Sequence, residues 1–326
     1  MEAHLDGRNF PMWTRVHVKA GQRLKIGKTT AAGCRSYLAV YGGFANVASY
    51  FGSKSTSPLV GIGGYQGRQL APGDLLAMTD DIPEKLLMSA VLPEELIPRY
   101  SNEWQIMAMV RDALLLTHRP AYMNKVGPHD EGYFLSEDIE MIYDNIWKVS
   151  HNASRSGIRL VGPVPKFARK DGGEGGAHPS NLVEYGYPLG ALNWTGDDPC
   201  LFPVDAPNFG GFVSSTTVIR AEWWKMGQLK AGDSMQYKRV SLDEALRLRK
   251  QNDDFLDAVE RALNLGAGCD DIQPIDAEFN ASGNFGEAVL WQRSARGRQP
   301  QVRYRQVRQH PDWTGRTTPL TFVVGR

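Results

Sequence analysis

The run KFARKDGGEGGAHPSNLVEYGY, residues 166–187, gathers side chains able to bind or react: Lys166, Arg169, Lys170, Glu174, His178, Asn181, Glu184, Tyr185 and Tyr187. It is too rich in glycine and proline for a regular strand or helix. A loop so dense in donors and acceptors is where binding residues concentrate. A plain surface loop is the alternative that composition leaves open. Arg155 and Arg159 precede it, and FPVDAPNFGGF (202–212) follows with Asp205 and the adjacent Gly210 and Gly211. The GGEGG core (172–176) is no phosphate loop, because no Gly-Lys-Ser/Thr follows it, and a dinucleotide fingerprint is also absent. His178 with Glu174 and Glu184 fits neither His-Glu-x-x-His nor a helical i,i+4 pair, so a hydrogen-bonding histidine is expected and no metal. No Gly-x-Ser-x-Gly elbow occurs, and Cys200 lacks an obvious activating base.

Short strands must position this loop. Val16–Val18, Leu24–Ile26 and Tyr37–Val40 are β-prone pieces cut by Gly21, Gly33 and Gly42-Gly43. VKAGQRLKI (18–26), LAPGDLLAM (70–78) and LKAGDSMQY (229–237) repeat one pattern: an apolar residue, a step, Gly, Asp or Gln, then alternation. YGGFANV (41–47) echoes FGGFVSS (209–215) in the same order along the chain. These echoes predict two related β modules, 1–95 and 96–240, the second holding the 166–187 loop. Two helices are expected. One follows Ser136, with acids in its first turn. The other spans 241–265, opening on the Ser241/Glu244 capping box and carrying Leu242, Ala245, Leu246, Phe255, Val259 and Leu263. Residues 266–299 read as a linker. QVRYRQV (301–307) reads as a strand that must pair with another element.

At 326 residues, with 37 Lys+Arg against 36 Asp+Glu and a net charge of +1, the chain lacks the basic excess of a nucleic-acid or membrane-surface binder. Its 34 glycines and 19 prolines favour turns and short strands over a helical bundle. Cys34, Cys200 and Cys269 include no Cys-x-x-Cys and read as incidental thiols. The opening MEAHLDGRNFPMW has no apolar leader, so the expected compartment is the cytoplasm, and Asn152, Asn193 and Asn280 are expected to stay unglycosylated.

The runs GPHDEGYFLSEDIEMIYDNIWKVSHNASRSGIRLVGP (127–163), ARKDGGEGGAHPSNLVEYGYPLGALNWTGDDPC (168–200) and FPVDAPNFGGFVSSTTVIRAEWWKMGQLKAGD (202–233) closely resemble the carboxyltransferase domain of urea carboxylase, the biotin-dependent part of urea amidolyase. YGGFANVASYFGSKST (41–56) and GIGGYQGRQLAPGDLL (61–76) match the same wider family, which includes allophanate hydrolase subunit 2 and 5-oxoprolinase subunit proteins. The resemblance covers residues 1 to about 265, and PQVRYRQV (300–307) looks like the start of the companion, subunit-1-like half. The resemblance implies a family half that begins earlier than Met1, and the sequence contains no Met-Lys-Met carrier motif.

The resemblance implies a mainly β fold of cyclophilin-like barrel modules with few helices. It implies transfer of CO2 from carboxybiotin, held on a separate carrier domain and made with ATP on another, to a urea nitrogen, giving allophanate. The implied partners are the companion half, the biotin carboxylase and the carrier domain, and an isolated chain would be inactive. Asp205 falls where the family has an Asp-Gly-Pro-Ser-Leu-Gly-Gly-Phe-like turn, here with Ala206 in place of the usual glycine. It is the expected acceptor for urea N–H groups. Lys225 or Lys230 would stabilise negative charge on the biotin ring oxygen. Asn181, His178, Tyr185, Arg159, Gly210 and Gly211 would shape the substrate site, the glycines by letting backbone approach closely. A surface lysine beside Trp223 and Trp224 is the other reading of Lys225. A 5-oxoprolinase-type subunit and a non-catalytic interaction fragment are the other readings of the chain.

Overall fold

The β-prone pieces between glycine turns do form strands. A computed structural model describes residues 2–29, 31–78, 82–109, 129, 132–265 and 320–325. Its first strands are β1 (Ala3–Leu5), β2 (Arg8–Phe10), β3 (Thr14–Val18), β4 (Leu24–Ile26), β5 (Tyr37–Val40), β6 (Thr56–Ser57), β7 (Ile62–Gly63) and β8 (Ala90–Val91). They build small open sheets: β2-β1-β4 is antiparallel, and β6-β7 is a two-stranded hairpin.

The next strands are β9 (Glu103–Met109), β10 (Trp147–Ala153), β11 (Ile158–Val161), β12 (Asn181–Gly186), β13 (Ala191–Thr195), β14 (Asp198–Leu201), β15 (Phe209–Phe212), β16 (Ser214–Val218) and β17 (Ser234–Arg239). Seven of them close a barrel in the order β10-β11-β14-β13-β16-β9-β17, while β12 and β15 pair as a separate ribbon. Period-two alternation fills the core: Trp104, Ile106 and Ala108 of β9, Trp147 and Val149 of β10, Ile158 and Leu160 of β11, Leu192 and Trp194 of β13 share one buried cluster. The closing seam is parallel, running from Glu103 opposite Ser234 to Ala108 opposite Arg239. The fold is therefore mainly β, as expected, with a closed barrel in its second part and open sheets in its first.

Among the described residues, three α-helices accompany the strands: α1 (Ser136–Asp144), α2 (Trp223–Gln228) and α3 (Leu242–Leu265). Ser241 Oγ accepts the Glu244 N–H at 3.2 Å, half of the expected capping box. Along α3, Ala245 and Leu248 pack on Met107, Ile219, Ala221 and Val240. Phe255, Val259 and Leu263 pack on Leu92 and Leu96. The helix thus packs on both the barrel and the Leu92–Leu96 stretch, with Leu248 in the buried stripe and the expected Leu246 exposed. A last strand, β18 (Leu320–Gly325), lies between β5 and β3 in the sheet β5-β18-β3-β8. The expected strand at 301–307 and the linker at 266–299 fall outside the described residues.

The repeated Gly turn is one structure used three times. Gly21, Gly73 and Gly232 have φ of 84, 92 and 90°, a left-handed conformation that glycine adopts without a Cβ penalty. In each, the backbone closes on the residue three back, and the next side chain accepts that residue's N–H. Gln22 Oε1 takes Lys19 (2.8 Å), Asp74 Oδ2 takes Ala71 (2.7 Å) and Asp233 Oδ2 takes Lys230 (3.1 Å). The Gly-Gly-Phe echo does not repeat: Gly42 and Gly43 turn with φ near 70°, whereas Gly210 and Gly211 lie in β15.

Candidate functional site

The stretch expected as one irregular loop over 166–187 is only partly so, because Asn181–Gly186 pair with β15 as strand β12. The remaining loop is fastened to rigid elements at its start. Asp138, buried in the first turn of α1, accepts the N–H groups of Leu135 (2.9 Å), Lys166 (2.8 Å) and Phe167 (3.1 Å). Phe167 then joins the buried core cluster against Phe134, Trp194 and His178, with ring centroids 5.4–6.4 Å away. Glu174 accepts bonds from Tyr133 Oη (3.0 Å) and Arg169 (2.9 Å), and the Arg169 guanidinium covers the Tyr133 ring at 4.2 Å. The Arg169 guanidinium, ahead of the opposing desolvation, holds the Glu174 carboxyl below the usual carboxylate range. His129, buried, stands edge-on to Tyr133 (4.7 Å) and Tyr185 (4.3 Å), and its Nδ1 accepts the Ser214 N–H at 3.1 Å.

The glycines of GGEGG are there because the loop lies flat on β12. A Cβ on Gly173 would fall 2.2 Å from the Asn181 carbonyl oxygen, and one on Gly175 2.1 Å from that of Leu182. Asn181 serves this packing: its carbonyl accepts the Glu174 N–H (2.9 Å) and its Oδ1 the His178 N–H (3.0 Å). His178 Nδ1 accepts the Ser180 N–H (3.1 Å), which leaves Nε2 to carry the hydrogen toward Asp197 at 3.2 Å. Gly210 and Gly211 have the same kind of reason. Their Cβ atoms would lie 2.6 Å from the Tyr187 ring and 2.9 Å from the Leu182 carbonyl oxygen, and Tyr187 Oη accepts the Phe212 N–H at 2.8 Å.

The remaining expected residues spread around the barrel. Asp205 is 41% exposed and ion-paired with Arg155 at 2.5 Å. Arg159, on β11, pairs with Asp198 at 3.0 Å. Lys230 Nζ donates to the Ala31 carbonyl, across to the first module. Lys225 is only 2% exposed: its ammonium donates to Glu222 Oε2 (2.7 Å) and to the Gln105 carbonyl (2.9 Å). It is an interior lysine, neither on the surface nor in the loop. Burial pushes the fully enclosed Glu222 carboxyl up, against the pull of Lys225 and of the Met107 N–H.

Five residues that the fold brings into these networks, His129, Tyr133, Asp138, Asp197 and Glu222, do not stand out in the sequence. Glu222 has one visible signal, as the i−3 partner of Lys225 on a helical turn. His129 and Tyr133 lie in the GPHDEGY run, but only the fold brings them to Arg169 and Glu174. Cys34 and Cys200 are free thiols, Cys200 with its pKa raised by burial, and Cys269 lies outside the described residues. Among the described residues no three His, Cys, Asp or Glu side chains converge as a metal centre requires, and no helix is long and apolar enough to cross a membrane.

Comparisons with known proteins agree on one family. The carboxyltransferase domain, subdomain A and B, matches residues 1–239. A putative urea carboxylase of Emericella nidulans is 48% identical over 309 residues, covering 94% of this chain and 24% of the relative. The urea amidolyase of Saccharomyces cerevisiae is 42% identical over 254 residues, 76% of this chain and 13% of the relative. The crystal structure of Kluyveromyces lactis urea carboxylase superposes with a TM-score of 0.65 at 32% identity, covering 90% of this chain and 25% of that one. A 5-oxoprolinase subunit of Escherichia coli is more distant, 28% identical over 266 residues, 81% of this chain and 74% of the relative. The chain thus spans about a quarter or less of the urea-metabolising relatives it matches.

Proposed function

Because this chain belongs to the carboxyltransferase domain family, subdomain A and B, we propose that it is the carboxyl-transfer portion of a biotin-dependent urea carboxylase, carrying CO2 to a urea nitrogen. The observation that carries the reading is the 48% identity to a putative urea carboxylase along nearly the whole chain. The companion half, the biotin carrier and the ATP-using carboxylase domain belong to the same proposal, as does a cytoplasmic location. Carboxybiotin, when bound, supplies the activated carboxyl group.

A urea molecule needs acceptors for its N–H groups and a donor for its oxygen. The exposed Asp205–Arg155 pair offers both on adjacent side chains: the carboxylate accepts from the attacking nitrogen and the guanidinium donates to the oxygen. Asn181, His178, Tyr185 and Arg159 belong to the same proposal as substrate contacts, while Gly210 admits the Tyr187 ring and Gly211 admits the Leu182 carbonyl beside the ribbon. The interior position of Lys225 does not fit a donor to a bound ureido oxygen. Lys230, at the surface, fits that role.

The test is steady-state kinetics on a complete carboxylase that carries this portion. Asp205→Ala is expected to lower kcat/KM for urea roughly ten- to several-hundred-fold, since a substrate N–H loses its acceptor. The melting temperature should fall only slightly, because an exposed ion pair contributes about 0–1 kcal/mol. Unchanged kinetics would remove Asp205 from the site.

A further inference from the structure

We infer that the space between β3 and β5 is a strand-acceptor slot, filled by Leu320–Gly325 of the same chain and able to take an extended, β-branched peptide by backbone pairing. β18 runs antiparallel to both walls: Leu320 to Val324 lie opposite Val18 to Thr14, and Phe322 to Gly325 lie opposite Val40 to Tyr37. Within the described residues β5 has no other sheet neighbour, so it is joined to β3 only through this strand.

Nothing local in sequence brings the strand there. Val18 and Leu320 stand at opposite ends of the chain, and the strand arrives as a separate piece. Its sequence, Leu-Thr-Phe-Val-Val-Gly, suits a central strand, with β-branched and aromatic residues, no charge and no proline. The walls differ in a way that suits capture. β3 is largely buried, with Val16 and Val18 in a cluster touched by Leu5, Phe10, Leu24 and Val40. β5 exposes Tyr37 and Leu38. An empty slot would leave two rows of N–H and C=O groups unpaired, the condition that strand addition relieves.

The experiment is amide hydrogen exchange on the full chain and on Val323→Pro, which removes one pairing N–H and cannot sit in a central strand. Exchange at residues 14–18 and 37–40 should quicken at least about tenfold in the variant, while β10 and β13 keep their protection and report an intact barrel. Adding the free hexapeptide Leu-Thr-Phe-Val-Val-Gly should restore protection at 14–18 and 37–40, and its proline-substituted version should not. Unchanged exchange in Val323→Pro, or no recovery with the hexapeptide, overturns the slot. A wild-type chain that is dimeric and loses this protection on dilution places a second copy's strand there, and overturns the assignment to the chain's own end.

Discussion

The barrel and the 41–78 segment grow from the same glycine-cut, β-prone kind of sequence, yet they treat apolar side chains in opposite ways. In the barrel, Trp147 and Trp194 are fully enclosed. In 41–78, Phe51 is 95% exposed and Leu59 94%. What holds the second region is polar stitching. Arg68 grips Asp74 through two bonds of 2.8 Å, Asn46 bridges the Leu75 carbonyl and the Ala77 N–H at 2.8 Å each, and Lys54 donates to the Phe44 carbonyl. A closed ladder of strands makes its own inside, whereas an open segment gains order from directed bonds and leaves its apolar side chains outward.

The largest test of that contrast is deletion of matched apolar side chains. Trp194→Ala should cost about 3–5 kcal/mol in a denaturant titration, since it empties the barrel centre and orphans Ser215. Leu59→Ala should stay within about 0.5 kcal/mol. Similar losses at both positions would break the comparison.

Next is the charge pair enclosed beside the barrel. Lys225→Met leaves the Glu222 carboxyl buried without its ammonium and should cost about 3–5 kcal/mol, most of it recovered by adding Glu222→Leu. A single variant as stable as the parent would show that the pair carries no coupling.

The repeated turn gives a smaller and sharper comparison, because one motif occurs in both regions. Asp233 is buried and also accepts Trp104 Nε1 at 3.0 Å, so Asp233→Ala should cost about 1–3 kcal/mol. Asp74→Ala, in the exposed copy, should cost less on the same titration. The reverse order would mean that stitching matters more than enclosure.

The smallest effect is a pH dependence. The Arg68 guanidinium first, and the Ala71 N–H second, hold the Asp74 carboxyl down to about 2. A group held low in the folded state stabilises fully above its unfolded value, about 3.9, and stops doing so as pH falls through the folded one. The Asp74 contribution should therefore fade between about pH 4 and 2. A carboxyl-carbon NMR titration reads it directly, and a midpoint near 4 would dissolve the stitch.

Much of this was legible because some motifs carry their own geometry. The Gly-Asp turn could be read from Gly73 and Gly232, since the left-handed residue and the capping side chain both lie inside the motif. The Gly-Gly-Phe echo could not, because a glycine's letters do not choose its φ: Gly42 and Gly43 turn freely, while the Tyr187 ring presses Gly210 into a strand. The candidate site was readable in residue type and not in partnership. Asp205 meets Arg155 through a fold-made contact, and the 166–187 loop is tied down by Asp138 from another element. The interior place of Lys225 is not visible in its letters: the preceding Trp223 and Trp224 suit a surface as well as a core, and only the fold leans Trp224 on Tyr100 and Trp104.

The parallel seam between β9 and β17 sets a timetable for synthesis. The barrel's first strand must wait for its last, because Glu103 finds Ser234 only after the intervening polypeptide has been made. At about 5–20 residues per second that is a delay on the order of ten seconds. Through it β9, with Trp104 and Ile106 on its apolar face, has β16 on one edge at most and lacks the β17 edge that closes the barrel. A nascent chain stalled before residue 234 should therefore engage chaperones, and one released past 239 should let them go.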